Sequence, residues 1–229
     1  MPAETFMSAV SSFFKVRQVP TLFWSAPHPL SLRPPLLSVG MLCIGLVLFG
    51  FGEALIIAAG FGVSPWTVLA QGVAAQTGWS IGLSTFIVSL FILLLWVPLR
   101  QTPGMGTILN VFIISITIDV SLPLLYRPDQ FIFQFLLLCS GIISIGFGSA
   151  LYLIANLGAG ARDGLMTALQ KRLGWPIMAV RSSIEMTAVL IGWSLGGIVG
   201  LGTVIFALGV GSAVSAGLHT MVLLTSWRK

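Results

Sequence analysis

Residues 60–79 read GFGVSPWTVLAQGVAAQTGW, and residues 156–175 read NLGAGARDGLMTALQKRLGW. Each stretch opens on a glycine-rich turn, continues for about three turns of helix-compatible residues and closes on Gly-Trp, at Gly78-Trp79 and Gly174-Trp175. The two lie 96 residues apart, and their flanks align at the same offset. Leu42, Cys43 and Gly45 meet Leu138, Cys139 and Gly141. Gly50, Phe51 and Gly52 meet Gly146, Phe147 and Gly148. Gly104, Gly106 and Thr107 meet Gly200, Gly202 and Thr203. An apolar chain produces chance matches among Leu, Ala and Ile. It does not readily bring its two cysteines, a Gly-Trp pair and a Gly-x-Gly-Thr motif into one ungapped register, so the chain reads as an internal duplication.

Composition says what is duplicated. Of 229 residues, 56% are hydrophobic and 7% charged, and the mean hydropathy is +1.03. A soluble domain covers its surface with roughly a quarter charged residues, so a soluble fold, a disordered chain and, with two cysteines, a disulfide scaffold are all excluded. The net charge of +5 is spread along the chain and is no nucleic-acid footprint. Six stretches approach the roughly 20 apolar residues a membrane helix needs: 38–60, 81–99, 105–125, 131–156, 177–197 and 203–225. With the N-terminus inside, Lys15, Arg17, Arg33, Arg100, Arg162, Lys171, Arg172, Arg228 and Lys229 fall on the cytoplasmic side and only Arg127 outside. That bias places both termini in the cytoplasm.

The expected fold is therefore an all-α membrane protein. Its six transmembrane helices form two three-helix repeats, about 37–125 and 131–225, inside a membrane domain at 37–229. Three spans per half is an odd number, so the halves face opposite ways, an architecture frequent in secondary transporters. Residues 1–36 carry six prolines and read as a cytoplasmic arm that lies on the membrane through Phe13, Phe14, Phe23 and Trp24, or as a disordered leader. The short helix of each half is either interfacial or re-entrant. If re-entrant, its N-terminus offers free N–H groups and a positive dipole end to a ligand, and Gly62, Gly158 and Gly160 make the turns. Trp66, Trp79, Trp175 and Trp193 read as interface anchors, and Cys43 and Cys139 as free thiols.

Ionisable side chains within spans cost about 2.5–3.5 kcal/mol on insertion scales and so call for a reason. Glu53 falls in span one, Asn110 and Asp119 in span three, and Arg181 and Glu185 four residues apart on one face of span five. Arg162 and Asp163 open the second short helix. Arg162, Asp163, Arg181 and Glu185 read as a cluster that binds an anion or zwitterion or holds a gate; the alternative is a salt-bridge network fastening the short helix to span five. For Glu53 the alternatives are a proton- or cation-linked role and a plain hydrogen bond to exposed backbone. No enzyme constellation is visible. Two histidines do not make a metal site with these acids, no Gly-x-x-x-x-Gly-Lys loop exists, and no cofactor is expected.

With these motifs placed, the sequence resembles the YczE/YyaS/YitT-type family of bacterial multi-pass membrane proteins, most closely its YczE-like branch. The resemblance spans about 37–215. It rests on GVSPWT (62–67), GMGTILN (104–110), GAGARDGLM (158–166), Val180-Arg181 with Ile184-Glu185, Gly192-Trp193 with Gly196-Gly197, and GLGT (200–203). The chain departs from the family at Thr67, where Asp is usual, and at Ala161 and Ser212, where Pro is frequent. The resemblance implies an integral membrane protein and, in some members, a link to secreted-metabolite production. The leading functional expectation is a secondary transporter or exporter of a small solute. A membrane scaffold or regulator and a channel are the alternatives. The expected partners are the bilayer and a small-molecule solute, with no nucleic acid; a homo-oligomer is compatible with the sequence.

Overall fold

The computed structural model describes residues 19–31 and 33–226. The described residues form eight α-helices and one short 3-10 turn, with no strand: α1 (Leu36–Ala59), α2 (Pro65–Thr77), α3 (Ile81–Trp96), α4 (Met105–Ser121) with its 3-10 extension (Leu122–Leu124), α5 (Phe131–Ala155), α6 (Ala161–Leu173), α7 (Ile177–Ser194) and α8 (Leu201–Ser226). Local chemistry sets the ends. Ser64 caps α2, with Pro65 in its first turn. Gly78 and Gly174 end α2 and α6 in left-handed conformations at φ 74° and 68°.

Four helices are long and apolar enough to cross a membrane: α1, α4 with its extension, α5 and α8. Helices α2 and α3 pass the same test only together, as a pair bent by 113°. Six spans were expected from hydropathy; by length and composition four helices, or five with the bent pair, are fit to cross a membrane. At 16 residues α3 reaches about 24 Å, short of the roughly 30 Å of hydrocarbon. The 18 residues of α7 include Arg181 and Glu185.

The centre is the crossing of α1 on α5, where glycines let the backbones touch. A Cβ on Gly45 would lie 2.7 Å from Gly148 O, and one on Gly52 would lie 2.7 Å from Gly141 O. These contacts exchange under the 96-residue offset, since Gly141 corresponds to Gly45 and Gly148 to Gly52. Around them the halves trade elements. Helix α4 packs on α1, and α8 on α5. Helix α2 crosses α7 in the other half, and α6 crosses α3. The loops follow suit: Gly202 N–H donates to Phe61 O at 2.8 Å, and Gly106 N–H to Leu157 O at 2.7 Å. The symmetry is broken at one seam. Helix α3 packs along α4, whereas α7 and α8 make little or no direct contact.

The N-terminal segment differs from expectation. Trp24 is buried, not laid on a membrane surface: Ser38 Oγ donates to Trp24 O, and Ala26 N–H donates to Ala155 O at 3.0 Å. Asn156 Nδ2 donates to Ala26 O at 2.9 Å, so residues 24–26 pack on the turn between α5 and α6. Free backbone groups at that helix end give the segment its hydrogen-bond partners. Phe23 remains 68% exposed. Phe13, Phe14, Lys15, Arg17, Arg228 and Lys229 lie outside the described residues.

Candidate functional site

Both short helices begin inside the bundle. Ser64, Pro65 and Thr67 at the start of α2 are buried, as is Ala161 at the start of α6, while Thr77 to Trp79 and Leu173 to Trp175 are exposed. The turns before them need glycine. Gly62 and Gly158 have φ of 102° and 118°, which a side chain rarely adopts. A Cβ on either would also lie 2.8 Å from a threonine hydroxyl of the other half, Thr203 for Gly62 and Thr107 for Gly158. Gly160 has an ordinary φ of −58° and serves as the N-cap of α6, without a side-chain cap.

The two halves fasten their short helices differently. In the first, Glu53 of α1 is 1% exposed; the Thr67 hydroxyl donates to its Oε2 at 2.8 Å, and Ser64 Oγ donates to Oε1 at 3.0 Å. In the second, Tyr152 of α5 donates its hydroxyl to Asp163 Oδ2 at 2.6 Å. Thr67 and Asp163 are 96 residues apart, so the acid sits on the long helix in one half and on the short helix in the other. Trp96 Nε1 of α3 donates to Ala161 O at 3.0 Å, locking the start of α6 across the halves.

Between these starts lies a cavity of about 380 Å³, within the range of small-ligand sites. Its walls are mainly apolar, with Phe49, Ile114, Ile145, Phe206, Val210 and Val214 among them. Arg162, Asp163, Arg181, Glu185 and Asn110 also line it. Glu53 stands behind the wall, reaching it through Ser64. The guanidinium of Arg162 lies 5.3 Å from the Trp66 ring centroid, a cation–π distance. Trp66 and Arg162 are themselves 96 residues apart. Glu53, Asp163 and Glu185 act on Arg162 electrostatically, yet among the described residues the one ion pair is Arg181 to Glu185, at 2.8 Å.

The four charged residues expected in one cluster, Arg162, Asp163, Arg181 and Glu185, share this cavity. Asp119, a separate candidate in span three, lies outside it. It accepts Ser80 Oγ at 2.5 Å and Gly82 N–H at 2.7 Å, capping the start of α3. One residue read otherwise from sequence belongs to the site. Trp66 was expected at the interface and lines the cavity under Arg162; Trp79, Trp175 and Trp193 are exposed. Tyr152 was missed altogether. One signal pointed to it, since it is one of only two tyrosines and sits within an otherwise apolar span. Cys43 and Cys139 are free thiols.

Residues 36–217 match a family of unknown function, DUF6198. An uncharacterised protein of Haemophilus influenzae is 40% identical over 210 residues, covering 92% of this chain and 95% of the relative. The uncharacterised membrane protein YczE of Bacillus subtilis is 29% identical over 185 residues, 80% of this chain and 86% of its own. YyaS of the same organism is 26% identical over 167 residues, 71% and 83% respectively. No solved structure matches. The matched region takes in both glycine turns, both short helices and every charged residue of the cavity, so the chain belongs to the DUF6198 family, among the YczE/YyaS-type membrane proteins.

Proposed function

We propose that the protein is a secondary transporter of a small solute in the bacterial inner membrane. In this reading it is built from two inverted three-span repeats with both termini cytoplasmic, and α2 and α6 are re-entrant half-helices. The carrying observation is the contact of Arg162 with Trp66. Two residues at equivalent positions of a duplication meet only where a pseudo-two-fold axis passes between them, and here that place is the cavity. Charged groups and helix starts at such an axis are what an alternating-access site needs. Non-helical backbone at membrane depth is tolerated where it borders protein or a water-filled cavity, which accounts for the turns at Gly62 and Gly158. The packed α3–α4 seam and the separated α7–α8 seam are what one of two mirror-related states would have. Solute then reaches the cavity past Arg181 and Glu185, whose side chains are 49% and 28% exposed.

Purified protein in proteoliposomes tests this with a panel of radiolabelled amino acids, monocarboxylates, sugars and quaternary amines. Saturable flux of at least one class is expected, falling to the background of empty liposomes in Arg181→Ala and Asp163→Asn. Folded protein with neither flux nor binding across the panel would overturn the reading.

A further inference from the structure

We infer that the cavity holds a small zwitterion with an apolar body, of the kind an aliphatic or aromatic α-amino acid provides. The inference takes the cavity to be the solute site of the proposed transporter and adds the chemistry of what it takes. Hydrogen bonds already made decide which groups are available. Arg162 donates none among the described residues; its guanidinium lies over Trp66, and the residue lines the cavity. A planar guanidinium in that state suits a carboxylate. Asp163 spends only Oδ2, on Tyr152, and Glu185 only Oε1, on Arg181. Each keeps a second oxygen able to accept from an ammonium group.

The unspent partners then separate the ligand classes. The cavity wall carries two cations, Arg162 and Arg181, and two carboxylates, Asp163 and Glu185, with the Glu53 carboxyl behind it. A bare anion leaves the free oxygens of Asp163 and Glu185 unmatched, and a bare cation leaves Arg162 unmatched. A zwitterion adds no net charge and meets unspent partners at both poles. The apolar side chains of the wall, from Phe49 on α1 to Val214 on α8, suit an alkyl or aryl side chain, with hydroxyls of Thr85, Ser89, Ser115 and Ser149 among them. Asn110, also on the wall, offers a neutral donor and acceptor to either pole.

The test is equilibrium binding to the full chain in detergent, using leucine and its two halves, 3-methylbutylamine and 4-methylpentanoate. Leucine is expected to bind saturably, and each half about tenfold or more weaker, because each forfeits a charge-assisted hydrogen bond. Arg162→Gln should weaken leucine by a similar factor and should not weaken 3-methylbutylamine, whose ammonium group gains from the lost positive charge. Arg162→Lys should recover part of the loss. Should Arg162→Gln fail to fold, Val210→Phe, which narrows the apolar wall, is expected to weaken phenylalanine more than glycine. The inference is overturned if either half matches leucine, if Val210→Phe affects glycine and phenylalanine alike, or if none of glycine, alanine, leucine and phenylalanine binds saturably. Saturable leucine binding without flux of any solute in the panel would sink the transport reading and leave this site standing. Flux of another solute class without zwitterion binding would do the reverse.

Discussion

Glu53 with Thr67, and Tyr152 with Asp163, solve one problem with different atoms. A half-helix starting inside an apolar bundle has first-turn N–H groups that want negative charge nearby. One half supplies the carboxylate from the neighbouring long helix and the hydroxyl from the short one; the other half does the opposite. With Glu53 facing position 67, an Asp in place of Thr67 would set a second buried carboxylate against it. Replacing Glu53 with Ala strands two buried hydroxyls and should cost about 1–3 kcal/mol, Glu53→Gln less, and Tyr152→Phe about 1 kcal/mol; thermal unfolding of the detergent-solubilised protein followed by tryptophan fluorescence reads all three. At this scale the charged residues were legible, because charge in an apolar chain stands out. Tyr152 and Trp66 were not, because an aromatic residue in a span has many ordinary explanations.

Helix existence followed from hydropathy, and the ends of the short helices from Gly78 and Gly174, so the elements were largely readable. Which element packs on which was not. Nothing in the pattern of α2 says that it crosses α7 rather than its own half, because both neighbours offer the same kind of apolar face. The exchanged crossings depend on small residues at contact points, and the glycine turns are the most demanding. Gly158→Ala puts a side chain at φ 118° and into Thr107 of the other half. Backbone strain alone costs about 1–3 kcal/mol, and the overlap adds to it. Trp96→Ala empties the space against Gly164 and removes the bond to Ala161 O, at about 3–5 kcal/mol. Both variants should lower the yield of folded protein in size-exclusion chromatography, with Trp96→Phe between wild type and Trp96→Ala.

Over the whole molecule, the 96-residue register was visible in the sequence and the asymmetry was not. The register matches at the glycine turns but not along α3 and α7, where Gly82, Ser84 and Phe86 stand opposite Met178, Val180 and Ser182, so a packed α3–α4 seam beside a separated α7–α8 seam did not follow from it. The burial of Trp24 against the α5–α6 turn was equally hidden, since the prolines around it mark a break without saying what the segment rests on. The account stands or falls on the opposed orientation of the halves. The exposed residues ending the short helices, Trp79 and Trp175, are the markers. Each is replaced by Cys in a Cys43→Ser, Cys139→Ser background and exposed in intact cells to a membrane-impermeant maleimide. The account predicts that Trp79→Cys is labelled from outside and Trp175→Cys only after the membrane is opened; labelling of both from the same face would contradict it.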